Sequence, residues 1–195
     1  NAYVVITGDV DHKTVFALAE EHYGGLEARP LPVRKPQIEP RQEGIRRVTV
    51  KAPAELPTLI MGWKAPILRD VEQDSEPYAL EMLAAVLDGY GVNRLERALV
   101  QAKDRVADSV GASYGLFGRG PQLFSLTAVP ARGVAPERVV QALRNEVARL
   151  AREGVSEAEL QRVKIQWAAS ETYQLDSVFN QARELGSYWV NGWSP

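Results

Sequence analysis

Four prolines within eleven residues, Pro30, Pro32, Pro36 and Pro40, limit most strongly what this chain can fold into. Proline fixes its own φ and has no backbone N–H, so neither a helix nor a central strand can run through such a stretch. The surrounding residues are rich in Arg, Lys and Gln. Residues 30–45 are therefore predicted to form an extended linker between a short first part and a long second part.

The first part, residues 1–29, is predicted to form one strand followed by one helix. The run AYVVITGDV is short, apolar and β-branched, as is typical of a buried strand. From His12 onward, apolar residues recur at helical spacing until a pair of glycines ends the helix. This spacing predicts that Leu18 is buried and that His22 lies at the edge of the apolar stripe.

The second part, residues 46–195, contains short strand-like segments followed by longer helical ones. RRVTVKA alternates apolar and polar residues, and TLIMGWKA is a plausible neighbouring strand. DSVGASYG and LFSLTAV resemble an antiparallel pair joined by the turn-rich GLFGRGP. Apolar stripes predict five helices, carried by residues 79–87, 95–102, 139–150, 156–172 and 178–189. The predicted fold class is α+β, an antiparallel or mixed β-sheet with helices packed on one face.

Several of the predicted helices begin at residues that are typical N-caps. Asn93 with Glu96, and Ser156 with Glu159, also have the spacing of a capping box. The full set of cap candidates is Asp11, Asp74 or Ser75, Asn93, Ser156, and Asp176 or Ser177.

Composition excludes several classes of function. The net charge is −2, and no basic stripe is interleaved with aromatic residues, so nucleic-acid binding is not indicated. No apolar run approaches the roughly 20 residues that span a bilayer. The chain has no Cys, which excludes disulfides, thiolate metal sites and Cys nucleophiles, and its two His are His12 and His22.

One stretch, LAEEH at residues 18–22, is close to the inverted zinc-peptidase motif H-x-x-E-H. Leu18 stands where that motif has its first His, and the apolar stripe of the helix requires a hydrophobe there. Elsewhere the chain has no G-x-S-x-G motif, and GLFGRGP lacks the Gly-Lys-Ser/Thr ending of a phosphate loop. We therefore predict neither catalytic nor metal-binding residues in this chain.

Several longer stretches resemble insulinase/pitrilysin-type zinc peptidases. NAYVVITGDVDHKTVFALAEEHYGGL is similar to the segment that closes the first half of these proteins. Other stretches follow the second, inactive half in the same order and spacing; they are LDGYGVNRLERALV, KDRVADSVGASYGLF, LFSLTAVPARGV, LAREGVSEAELQRVKIQWAAS and LDSVFNQARELGSYWVNG. The resemblance extends over nearly the whole chain.

The resemblance implies a domain organisation and a role. Residues 1–29 would close the preceding, catalytic-half domain, and residues 46–195 would form the second half, truncated at its C-terminus. Residues 1–195 together resemble the C-terminal domain module of the family. In such proteins two α+β halves close like a clamshell around a chamber for unfolded peptides. The zinc and its H-x-x-E-H helix belong to the catalytic half, so the likeness of LAEEH to that motif is accidental.

In many members the second half contributes an Arg and a Tyr that bind substrate backbone. The corresponding positions here carry Val100 and Asp108, to within about one residue of alignment. The nearby Arg97, Arg105 and Tyr114 are possible replacements, although surface charge and strand packing also explain them. Which residues contact substrate is therefore left unknown at this point.

Two functions follow from the resemblance. The chain is expected to be the non-catalytic, substrate-chamber half of a zinc-dependent metalloendopeptidase, with no cofactor of its own and no activity alone. The alternative is part of an inactive homologue that serves as a binding or assembly subunit for an active peptidase. The expected partners are a catalytic half, in the same protein or in another subunit, and a peptide substrate. The resemblance also favours the bacterial periplasm or cell envelope.

The truncated second half leaves a predicted sheet without its last strand and helix. An unpaired sheet edge tends to recruit strands. We therefore expect AYVVITGD to dock onto the sheet built from residues 46–129, in the same chain or exchanged in a homodimer.

Overall fold

A computed structural model describes residues 2–27, 29–30, 32–33, 35, 41–89, 93–118, 120 and 122–193. Within them it has five α-helices, one π-helix and three strands, which confirms the predicted α+β class. In chain order these are α1 His12–Tyr23, β1 Leu59–Ala65, α2 Ser75–Asp88, the π-helix Glu96–Val100, β2 Ala107–Ser113, β3 Gln122–Pro130, α3 Pro136–Glu153, α4 Glu157–Gln174 and α5 Val178–Asn191. Much of the predicted linker lies outside the described residues.

The chain divides into two compact units. The first comprises Asn1–Pro53 and Leu175–Pro195, and the second comprises Ala54–Gln174. We call them the terminal unit and the central unit. All three strands and α2, α3 and α4 belong to the central unit, whereas α1 and α5 belong to the terminal unit.

The sheet of the central unit is antiparallel, with β3 between β1 and β2. Leu126 of β3 lies opposite Met61 of β1 on one side and opposite Ala112 of β2 on the other. Residues directly opposite each other point to the same face of a sheet. The face that carries Leu126 is therefore shared by alternate residues of all three strands.

That face packs against the helices and forms the core. Leu126 is fully buried, and the core contains further residues from α2, the segment around the π-helix, α3 and α4. The largest fully buried side chains are Leu87, Leu95, Leu99, Leu126, Leu143 and Val139. Helices thus cover one face of the sheet, as the sequence predicted.

Asp88, at the end of α2, caps the outer edge of β2. Its Oδ2 accepts the backbone N–H of Ala112 at 3.1 Å, and its Oδ1 accepts the Nδ2 of Asn93 at 2.9 Å. Burial raises the pKa of Asp88, while these two hydrogen bonds act in the opposite direction. Since the N–H of Ala112 points outward to Asp88, Ala112 and Leu126 form a non-hydrogen-bonded pair. The backbone polar groups of Leu126 must then point towards β1.

In the terminal unit, the first residues lie along α5 and run antiparallel to it. The rings of Tyr3 and Trp189 meet edge to face at 6.2 Å, and Thr7 Oγ1 donates to the carbonyl of Val178 at 2.7 Å. The position of a Cβ on Gly186 would be 3.3 Å from Val5. The two lengths are comparable, because the four residue steps from Tyr3 to Thr7 span about 13 Å of extended chain and the eleven steps from Val178 to Trp189 span about 16 Å of helix.

Four predictions are wrong: a strand in residues 2–10, a strand in residues 46–52, the docking of residues 2–9 onto the sheet of the same chain, and the burial of Leu18. Residues 2–10 and 46–52 are not strands, and residues 2–8 pack on α5 instead of joining the sheet. Ladder hydrogen bonds form only where a neighbouring strand is aligned, and the described residues provide none there. Leu18 is 49% exposed, and α1 has no buried residue.

Four of the predicted caps are confirmed. Asp11 accepts the N–H of Thr14 at 2.8 Å, and Ser156, Ser177 and Asn93 each accept an N–H three residues ahead. Asp74 precedes α2 but accepts instead from the backbone of two residues in the loop before it. The residues after Asn93 form a π-helix rather than the predicted α-helix.

Candidate functional site

The two positions that correspond to the substrate-binding Arg and Tyr of the resemblance carry side chains with other contacts. Val100 ends the π-helix and packs against the core. Asp108 lies near the start of β2 and pairs with Arg105 at 2.9 Å, across a register shift of the strand. Val100 has no polar side-chain atom, and the carboxylate of Asp108 accepts hydrogen bonds, so neither replaces the donors of an Arg or a Tyr.

The three possible replacements are engaged in separate contacts. The Tyr114 hydroxyl donates to the carbonyl of Pro66, and its ring stacks on Phe124. Burial raises the pKa of Tyr114, and nearby carboxylates raise it further. Arg105 holds Asp108, and Arg97 lies at the rim of a different cleft. The structure does not bring these residues together as a substrate clamp.

An ion pair that the sequence did not reveal joins the segment before the π-helix to α4. Arg94 Nε donates to Glu159 Oε1 at 2.9 Å, and its Nη2 contacts Glu159 Oε2 at 2.5 Å. The same Nη2 donates to the carbonyl of Gly154 at 3.0 Å. Both side chains are only 11% exposed. Arg94 therefore fixes the turn between α3 and α4 against the residues that precede the π-helix.

The hydrogen bonds from Arg94 lower the pKa of Glu159, and Glu159 in turn raises the pKa of Arg94. A second forked pair lies beside the first, in which Arg149 Nε donates to Glu146 Oε2 at 3.0 Å. Glu146 is almost fully buried on α3. A single sequence does not show that two residues 65 positions apart form a pair. Glu159 is already predicted as the second residue of a capping box with Ser156, so nothing in the sequence points to Arg94 as its partner.

These pairs line an open cleft of about 580 Å³. Its rim carries the exposed residues Arg97, Arg162 and Glu153. Four arginines and three glutamates line the cleft, and its apolar lining consists of two alanines. We call it the arginine cleft, defined by Arg94, Arg97, Arg149 and Arg162.

A second surface is the sheet face opposite the core. Ile60 is 70% exposed and Leu123 is 54% exposed, and between them lie Gly62, Ser125 and Thr127. The members of the core cluster come from the other face. We call this surface the exposed sheet face.

The described residues do not fit a zinc ion. His12 and His22 are exposed and ten residues apart on one helix, so about 15 Å of helix separates them. In the part of the chain that the structure describes, no three His, Asp or Glu residues gather where they could hold a metal. None of the helices described is long and apolar enough to cross a membrane.

Comparison with known proteins adds the family. Residues 1–167 match the family described as Peptidase M16 inactive domain. Zinc protease PqqE of Helicobacter pylori is 29% identical over 97% of this chain and 42% of its own length. The chain thus spans less than half of that relative.

Solved structures support the fold. A protease from Helicobacter pylori superposes with a TM-score of 0.82 at 23% identity, over 95% of this chain and 44% of that one. A domain from Bordetella parapertussis, described as the inactive peptidase domain of a zinc protease, gives a TM-score of 0.59 at 18% identity over 75% of this chain and 76% of that one. The chain belongs to the M16 peptidase family, as an inactive peptidase domain of the kind found in zinc proteases.

Proposed function

We propose that this chain forms the non-catalytic wall of the substrate chamber in a zinc-dependent metalloendopeptidase that acts on peptides or unfolded segments. The observation that carries the proposal is the continuous match of residues 1–167 to the inactive domain of the family. Zinc and the water-activating Glu would belong to a catalytic half, supplied by the same protein or by a partner chain.

We assign the exposed sheet face to the peptide. Helices and core occupy the other face, so this is the broad surface of the sheet that is available to a ligand. Ile60 and Leu123 offer apolar contact, while Thr127 and Ser125 carry hydroxyls that can pair with a peptide backbone. Exposed apolar residues rimmed by polar ones are typical of a binding surface.

The test compares two exposed isoleucines in the active peptidase that contains this domain. Ile60→Ser removes an apolar contact from the exposed sheet face, whereas Ile165→Ser changes an equally exposed residue, 68%, on α4. The proposal predicts that kcat/KM for an apolar peptide falls about tenfold for Ile60→Ser, the effect of losing one buried apolar side chain. Ile165→Ser should leave it unchanged, and equal effects of the two variants would refute the assignment.

The second candidate function is a subunit of an inactive homologue that binds an active peptidase chain. Val100 and Asp108 favour it, because they replace the Arg and Tyr that many members use on substrate. Reading the rest of the encoding gene for H-x-x-E-H followed by a Glu ligand separates the two. Its presence supports the chamber wall, and its absence supports the binding subunit.

Two finer expectations belong to this proposal. Exchange of residues 2–9 onto the sheet of a second chain would give a homodimer, and sedimentation at increasing concentration would detect it. A periplasmic or envelope location is expected by resemblance, and fractionation of the source cells tests it.

A further inference from the structure

We propose that the arginine cleft binds a small anion that carries carboxylate or phosphate groups. This inference concerns the helical side of the central unit and does not depend on the proposed chamber function. The cleft lies between the π-helix, α3 and the start of α4.

The first observation that supports the proposal is that only two of the four arginines form ion pairs. Arg94, which is 11% exposed, and Arg149, which is 45% exposed, are each held by a forked pair with a buried glutamate. Among the residues described here, Arg97 and Arg162 have no carboxylate within 4.0 Å and stand exposed at the rim, where Arg97 Nε also donates to the carbonyl of Asn93 at 3.4 Å. Arg97 and Arg162 are therefore available to a ligand, whereas the charges of Arg94 and Arg149 are already balanced by Glu159 and Glu146.

The second support is that these rim cations act on a common point. The charges of Arg162 and Arg97 both help to lower the pKa of Glu159, after the larger effect of Arg94. Both guanidinium groups therefore lie within electrostatic reach of one carboxylate at the base of the cleft.

The third support is chemical. A lining of arginines with only two alanines offers little to an apolar ligand. The guanidinium fork matches the geometry of carboxylate and phosphate groups, and the volume suits a small ligand. Glu153 lies at the rim near Arg149, and its negative charge should repel a bound anion. Removing that charge therefore offers a second test of the proposal.

The test measures binding of citrate and, separately, pyrophosphate to the 195-residue chain by calorimetry at low ionic strength. The variant Arg97→Gln with Arg162→Gln removes both rim cations and leaves the Arg94–Glu159 and Arg149–Glu146 pairs intact. Its matched control, Arg132→Gln with Arg138→Gln, removes two exposed arginines elsewhere in the central unit and gives the same net charge.

We expect saturable one-to-one binding of at least one probe, weakened about tenfold by the rim variant and by less than about twofold by the control. Glu153→Gln should tighten it. Binding of citrate alone assigns the cleft to carboxylates, and binding of pyrophosphate alone assigns it to phosphates. Absence of saturable binding for both probes, or equal losses in the rim and control variants, overturns the proposal.

Discussion

The central and terminal units are both rich in apolar side chains but bury them very differently. Leu126 and Leu143 of the central unit are fully buried, while Leu18 of the terminal unit is half exposed. Among the described residues, every buried one lies between 54 and 174. An apolar stripe specifies which face of a helix can be buried, and only a second packed layer buries it.

The largest expected difference between the units is in the cost of truncating a leucine. Leu126→Ala removes a fully buried side chain and should lower the free energy of unfolding by about 2–5 kcal/mol. Leu18→Ala should change it by no more than about 0.5 kcal/mol. Urea denaturation measures both, and similar losses would show that α1 is buried in solution.

The next effect concerns the ion pair in the central unit. Arg94→Ala leaves Glu159 without its forked partner at a site that is 11% exposed, and should cost about 3 kcal/mol. Arg138→Ala, at an exposed position of α3, is the control and should cost almost nothing. If the two variants are equally stable, the pair contributes nothing to the fold.

The same pair predicts a pH dependence. Arg94 holds the pKa of Glu159 below its usual value, so the folded state binds this proton less readily than the unfolded state. The resulting stabilisation is present above about pH 4.3, the ordinary Glu pKa, and is lost as pH falls through the lowered value. The stability gap between the native chain and Glu159→Gln should therefore close in acid. A gap that widens below pH 4 would contradict this.

A smaller effect of opposite sign is expected at Glu81 on α2. Burial raises its pKa, and the neighbouring Glu171 raises it further. The charged form is therefore disfavoured in the folded chain, and stability is lost as pH rises through the raised pKa. Glu81→Gln should stabilise the chain slightly at pH 7 and have no effect near pH 4. Thermal melts at both values, with exposed Glu76→Gln as control, would show whether the gain is specific.

The smallest effect on global stability is expected where the first residues pack on α5. Gly186→Val adds side-chain atoms beyond a position that is already 3.3 Å from Val5. Residues 2–8 should detach, and hydrogen exchange in α5 should become faster while the core of the central unit keeps its protection. Unchanged exchange in α5 would mean that the segment does not rest there.

Local patterns in the sequence were sufficient to predict the positions of the helices and of most of their N-caps. Asp11, Ser156 and Ser177 act on neighbours three residues away, so their roles can be read directly. The Arg94–Glu159 pair could not be predicted, because it spans 65 residues and depends on the tertiary packing that brings the start of α4 to the residue before the π-helix. Residues 46–52 fail for a different reason. Their alternating pattern predicts a strand, but no strand among the described residues pairs with them, so they form none.

If this domain is the non-catalytic wall that we propose, it hydrolyses peptides only together with a catalytic half, and a peptidase assay can test this. The 195-residue chain would be assayed with an unfolded peptide and trace zinc, alone and together with a catalytic half of its own parent or partner. We expect no hydrolysis and no retained zinc for the chain alone, and cleavage only in the combination. Chelator-sensitive hydrolysis by the chain alone, with stoichiometric zinc that is lost in His22→Ala, would contradict it.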